Sequence, residues 1–169
     1  MKRSLSIIAL LAIMAFSFNS CGGGKEDKTK APAEEQWAPT PVEEISNTLT
    51  LSAHDEMKYD QTVLKALAGK PITLTFTHIG TMDKNVMGHN FVLLTPGTDI
   101  DNFATIALTA KDNDFIPKSL SSKIIAHTKL LGGNESDTIE FTVPEKGTYD
   151  YICTFPGHVA TMRGKLIVQ

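Results

Sequence analysis

One stretch near the end of the chain, Tyr149–Lys165 (Y-D-Y-I-C-T-F-P-G-H-V-A-T-M-R-G-K), carries three side chains able to bind a soft metal. Cys153 offers a thiolate, His158 an imidazole after four intervening residues, and Met162 a thioether after three more. Together these donors suit copper better than any hard cation. Zinc fits a single thiolate and a thioether less well. A binuclear copper site would need a second bridging thiolate, and Gly157 stands where the loop would supply one.

The loop lacks a second imidazole, which must come from His54, His78, His89 or His127. His89 stands in N-V-M-G-H-N at the head of a strand candidate, 64 residues before Cys153. A sandwich of strands can bring that strand end beside the loop. His89, Cys153 and His158 would then form a trigonal set with Met162 as a weak axial ligand, the blue-copper arrangement, which accommodates both Cu(II) and Cu(I). Asn90 is expected to bridge the two ligand-bearing segments, and backbone N–H groups near Phe155 to donate to the sulfur. His78 lies on the apolar face of its strand and reads as a satisfied core histidine. His127, beside Thr128-Lys129, reads as exposed, and His54 receives no role.

The elements that must position these residues are mostly short alternating runs. Leu49, Leu51 and Ala53 share one face of the first. I-T-L-T-F-T-H places Ile72, Leu74, Phe76 and His78 on one face and threonines on the other. Further strand candidates are His89–Thr95, Ser122–Thr128, Thr138–Val143, Thr148–Phe155 and Gly164–Val168, separated by Pro- and Gly-bearing turns. Asp99–Lys111 breaks the period: Ile100, Phe103, Ala104 and Ala107 fall on one helical face, with Asp99 or Asp101 as cap. The pattern predicts an all-β, antiparallel Greek-key sandwich of about seven or eight strands with one inserted short helix.

The chain has 169 residues, enough for one domain and a targeting segment. Lys2 and Arg3 precede an apolar run, Leu5–Phe18, that ends at Asn19-Ser20, so residues 1–20 read as an export signal. Cys21 follows directly and is expected to be lipidated. Residues 21–44, rich in Gly, Lys, Glu and Pro, read as a flexible tether, and residues 45–169 as the domain. Loss of Lys2 and Arg3 with the signal leaves 14 basic against 19 acidic residues, a net charge of −5. No basic patch emerges, so nucleic-acid binding has no support. With Cys21 lipidated, Cys153 is the only thiol of the domain. A lone thiol in an exported protein points to chemistry or a metal rather than to a disulfide.

N-V-M-G-H-N (Asn85–Asn90), I-A-H-T-K-L (Ile125–Leu130) and C-T-F-P-G-H-x3-M (Cys153–Met162) resemble the azurin family of bacterial blue copper proteins. The resemblance spans roughly Asn47 to Gln169. It implies a cupredoxin-like fold and one type 1 copper ion bound by His89, Cys153 and His158. Met162 and the backbone carbonyl of Gly88 would be the two weak axial ligands. It implies one-electron transfer between redox proteins, such as c-type cytochromes or copper or haem reductases, without enzymatic turnover. Met57, Met82, Val86, Met87, Phe155 and Ala160 resemble an apolar docking patch around an exposed edge of His158. Three features depart from the family: no cysteines for its usual disulfide, Phe91 in place of its Trp after the His-Asn pair, and the lipoprotein-type leader. A periplasm-facing protein held to a bacterial membrane through Cys21 is the expected location. Two rivals use the same residues, copper storage or delivery and a Cys153–His158 nucleophilic pair.

Overall fold

The computed structural model describes residues 45–169; the expected signal segment, Cys21 and the whole of the tether lie outside them. Nine strands form two sheets among the described residues. They are β1 (Thr48–His54), β2 (Lys58–Tyr59), β3 (Val63–Ala66), β4 (Pro71–His78), β5 (Val92–Leu94), β6 (Ile124–His127), β7 (Ser136–Thr142), β8 (Gly147–Ile152) and β9 (Arg163–Val168). One sheet has the order β2-β1-β4-β7 and the other β3-β9-β8-β5-β6.

Alternation places the core. On β1 and β4, Leu49, Leu51, Ala53, Ile72, Leu74, Phe76 and His78 are buried, while the intervening threonines face outward. Leu64 and Ala66 of β3, Tyr149 and Tyr151 of β8, and Leu166 and Val168 of β9 close the core from the other sheet. The sandwich is not wholly antiparallel. β1 pairs parallel with β4, and β3 parallel with β9. After β1 and β2 the chain crosses to the second sheet for β3 and returns for β4, so β4 can run beside β1 in the same direction.

Two strands carry no readable period. Two-residue β2 is too short to alternate, and β3 (V-L-K-A) has one large inward residue, Leu64. β5 is shorter than the expected His89–Thr95 and is buried at every position. Leu93 packs in the main core, whereas Val92 and Leu94 face a second cluster with Phe103, Ile116 and Ile152. That cluster exists because a helix, α2 (Ile100–Ala107), covers this sheet with Phe103 and Ala107. Asp99 caps α2 by accepting from the Asn102 N–H at 3.0 Å. The helix ends earlier than the expected Lys111, and a 3-10 segment, Leu108–Asn113, continues to left-handed Asp114 and Phe115. A further single helical turn, α1 (Lys84–Met87), is capped by Asp83, which accepts from the Asn85 N–H at 2.8 Å.

Candidate metal centre

Four chain segments meet at one pole of the sandwich. His89 follows Gly88 at the end of α1 and is held by a two-way bridge to Leu131, N–H to carbonyl at 3.0 and 2.8 Å. Cys153 stands directly after β8, and Met162 directly before β9. The loop between them is closed by its own backbone: Cys153 N–H to Met162 O at 3.1 Å, Met162 N–H to His158 O at 2.8 Å and His158 N–H to Phe155 O at 3.0 Å. Gly157, with φ of +82°, makes the left-handed turn that swings His158 inward, a conformation costly for other residues.

The donor atoms converge. His89, Cys153 and His158 each offer one ligand atom, all within 4.8 Å of one another. The two Nδ1 atoms are 3.2 Å apart, and Cys153 Sγ lies 3.6 Å from His158 Nδ1. Met162 is fully buried at the same pole, and the Gly88 carbonyl lies 4.0 Å from Sγ. Gly88 is required by space rather than by φ. A Cβ there would sit 2.5 Å from the Lys84 carbonyl oxygen and 2.9 Å from both Leu130 Cγ and Phe155 Cδ2.

Hydrogen bonds fix the ligand orientations. His89 Nε2 donates to the His54 carbonyl at 2.9 Å, which leaves its Nδ1 lone pair facing the centre. Asn90, wholly buried, joins the two ligand-bearing segments. Its Oδ1 accepts from the Thr154 N–H at 2.9 Å, and its Nδ2 donates to Thr154 Oγ1 at 2.8 Å and to the Asp114 carbonyl at 3.2 Å. Backbone N–H groups of Asn90 and Phe155 donate to the Cys153 sulfur.

Burial sets the protonation of the free ligands. It pushes the Cys153 thiol up to about 11, against the pull of those two N–H groups. It pushes His89 down to about 4, helped by the nearby His78 and His158 and opposed by the His54 carbonyl. His158 is likewise lowered to about 4, by burial and then by His78. At neutral pH both imidazoles are therefore neutral, as metal ligation requires. A buried set of two neutral imidazoles, one thiol and one thioether fits a single copper ion.

The other sequence candidates separate clearly. His78 is a core histidine: Nε2 bonds Asp55 Oδ1 at 3.0 Å, Nδ1 lies 3.4 Å from the Leu131 carbonyl, and its ring packs edge-on against His89. His127 is exposed on β6. His54 is exposed too, but its backbone carbonyl orients His89, and no side-chain signal reveals that role. Met57, Met82, Val86 and Ala160 are exposed, whereas Met87 and Phe155 are half-buried. Thr161 Oγ1 donates to the Met57 carbonyl at 3.0 Å, which ties Met57 to the metal loop. The edge of His158 is less open than expected, since the residue is only 2% exposed. No buried side-chain nitrogen or oxygen among the described residues lacks a partner, so Nε2 of His158, which has none, is the atom that reaches solvent. Cys153 itself is wholly buried, which removes the open access a nucleophile needs.

Comparison with known proteins agrees with this geometry. The profile of copper-binding proteins of the plastocyanin/azurin family matches residues 46–169. Auracyanin-A of Chloroflexus aurantiacus is 33% identical over 167 residues, covering 98% of this chain and 96% of that protein. Azurin of Pseudomonas aeruginosa is 36% identical over 127 residues, covering 72% of this chain and 84% of that protein. The solved structure of auracyanin A, described as a "blue" copper protein, superposes with a TM-score of 0.66 at 35% identity, covering 72% of this chain and 98% of that one.

Proposed function

This chain belongs to the plastocyanin/azurin family of copper-binding proteins, and from that premise we propose that it is an exported one-electron carrier. His89, Cys153 and His158 would hold a single copper, with Met162 and the Gly88 carbonyl as weaker additional donors. Bound copper would supply a Cu(II)/Cu(I) couple, which one thiolate and two imidazoles serve in both states. One observation carries the reading: two imidazole Nδ1 atoms and a thiol sulfur, all buried, converge within 4.8 Å on a closed loop. A closed set favours retention of the metal over its delivery.

The chain's own residues do the rest. The Asn90 and Phe155 N–H groups stabilise the Cys153 thiolate, and Asn90 holds the two ligand-bearing segments in register. His158 Nε2 is where the centre meets solvent, so this ring would be the route for electrons to and from a bound copper. Met57, Met82, Val86, Met87, Phe155 and Ala160 form the apolar docking surface around it. Exposed methionines suit brief contacts with more than one redox protein, c-type cytochromes or copper or haem reductases among them. Mature protein is held by a lipid on Cys21, on a tether over residues 21–44, facing the periplasm. Among the described residues no helix is long and apolar enough to cross a membrane.

An optical and electron paramagnetic resonance spectrum of the copper-loaded protein tests the core of this reading. An intense blue thiolate-to-Cu(II) band is expected, and Cys153→Ser should abolish it. A colourless copper protein, or colour that survives the substitution, would refute it. Detergent phase partitioning of wild type against Cys21→Ser tests the anchor; equal partitioning would remove it.

A further inference from the structure

Asp55 follows His54 in the turn between β1 and β2, and its carboxylate gathers four donors from outside that turn. Oδ2 accepts from the Thr81 N–H at 2.8 Å and from Thr81 Oγ1 at 3.4 Å. Oδ1 accepts from His78 Nε2 at 3.0 Å and from the Met82 N–H at 3.3 Å. The loop after β4 is shaped around this carboxylate. A Cβ on Gly80 would come within 2.1 Å of Asp55 Oδ1, so glycine leaves the room it occupies. Gly133 gives way likewise to the Thr81 backbone, and its N–H binds the Met82 carbonyl at 2.8 Å.

Each arm of this cluster ends at His89. The His54 carbonyl, one peptide bond before Asp55, accepts both the Met57 N–H at 3.2 Å and His89 Nε2 at 2.9 Å. The His78 ring, gripped by Asp55, stands 4.4 Å from the His89 ring, centroid to centroid, at 67°. Thr81 and Met82 lead into Asp83 and α1, at whose end Gly88 and His89 stand. Asp55 is thus bonded to one wall of the His89 ring, adjacent to its hydrogen-bond acceptor, and fastened to the backbone that leads to it.

We infer that Asp55 is a positioning residue for His89, a clamp that joins the β1–β2 turn to the loop before α1 and so fixes the imidazole by its ring face and its Nε2–H. The same clamp sets the spacing of Met57 and Met82, one on each joined segment. Its link to copper rests on the electron-carrier reading above, but its effect on the His89 ring does not.

The test uses copper-free protein first. Asp55→Asn keeps the shape, but its amide NH2 replaces one acceptor oxygen, and N–H groups face both oxygens. Solvent exchange of the His89 Nε2 proton, followed by nuclear magnetic resonance, should quicken tenfold or more relative to the Leu74 and Tyr151 amides in the core. In the Cu(II) protein the same substitution should change the hyperfine splitting and the reduction potential. Glu56→Gln, next along the turn, should alter none of these. Unchanged exchange at His89, or a rise only in step with the core amides, would overturn the clamp and leave Asp55 a general stabiliser. If Asp55→Asn fails to fold, Gly80→Ala, which displaces the carboxylate without changing it, should give the same selective rise; a uniform rise there overturns the inference. A wild type that is not blue would refute the copper reading alone, since the exchange measurement needs no metal.

Discussion

Replacing Asn90 with alanine should destabilise copper-free protein by about 3 kcal/mol, because the amide is the polar bridge between the two segments that carry the ligands. The side chain is wholly buried and makes three contacts with Thr154: Oδ1 accepts from its N–H at 2.9 Å and lies 3.2 Å from its hydroxyl, and Nδ2 donates to that hydroxyl at 2.8 Å; a further bond runs to the Asp114 carbonyl at 3.2 Å. Each bond contributes about 1 kcal/mol net, and a buried N–H left without a partner costs about 1–3 kcal/mol. Thr154 is 2% exposed, so water does not readily replace the lost acceptor. Urea unfolding followed by circular dichroism measures the effect; with a slope near 2 kcal/mol per molar, the midpoint should fall by about 1.5 M. A cycle with Thr154→Val separates the bridge from simple loss of volume, with a coupling of about 1 kcal/mol expected for the hydroxyl bond. A total loss below about 1 kcal/mol, or no coupling, would show that the two segments are held by packing and would refute the bridge.

Other consequences are equally direct. Gly88→Ala should cost about 1–3 kcal/mol through overpacking against the Lys84 carbonyl, Leu130 and Phe155, read as a lowered unfolding midpoint. At pH 7, uptake of one copper ion should release one proton, measured with an indicator in weak buffer. Cys153 enters as a thiol, since burial holds it near 11, and both histidines enter neutral. His158 needs only to move its proton from Nδ1 to the solvent-facing Nε2, and Cys153→Ser should release none. Copper-free stability should rise with pH between about 4 and 6.5, because unfolded histidines bind protons there and the folded pair, held near 4, does not. A flat profile over that window would contradict the lowered values. Met162→Ala should keep copper and colour and shift the reduction potential, as expected of a weak axial partner. Complete loss of copper would make Met162 a principal ligand.

What the sequence could and could not reveal divides along a physical line. Ligand chemistry belongs to side chains, and three candidate donors sit in one loop, so Cys153, His158 and Met162 were legible as candidates from type and spacing alone. His89 was legible because a strand head can reach that loop, and the Ile72–His78 face because period-two burial leaves its mark on composition. Strand direction leaves no such mark. The parallel pairing of β1 with β4 follows from where the chain crosses between sheets, which no local pattern encodes. β5 lost its alternation because α2 covers the face that would otherwise be wet.

The parts that orient the proposed metal ligands are the least legible, because so many of them are backbone atoms. Any residue at position 54 offers the carbonyl that binds His89 Nε2, so the identity of His54 predicts nothing about it. The thiolate's two N–H donors are equally anonymous. What identity can show is where such backbone is forced into place: Gly88, Gly157 and Gly80 each mark a spot where a Cβ is excluded by space or by φ. Two of the three lie within one residue of a proposed ligand, and the third lies against Asp55. The glycines therefore trace the positioning framework that the histidines and the cysteine do not reveal, and substituting them should disturb the orientation of the ligands before it disturbs their number.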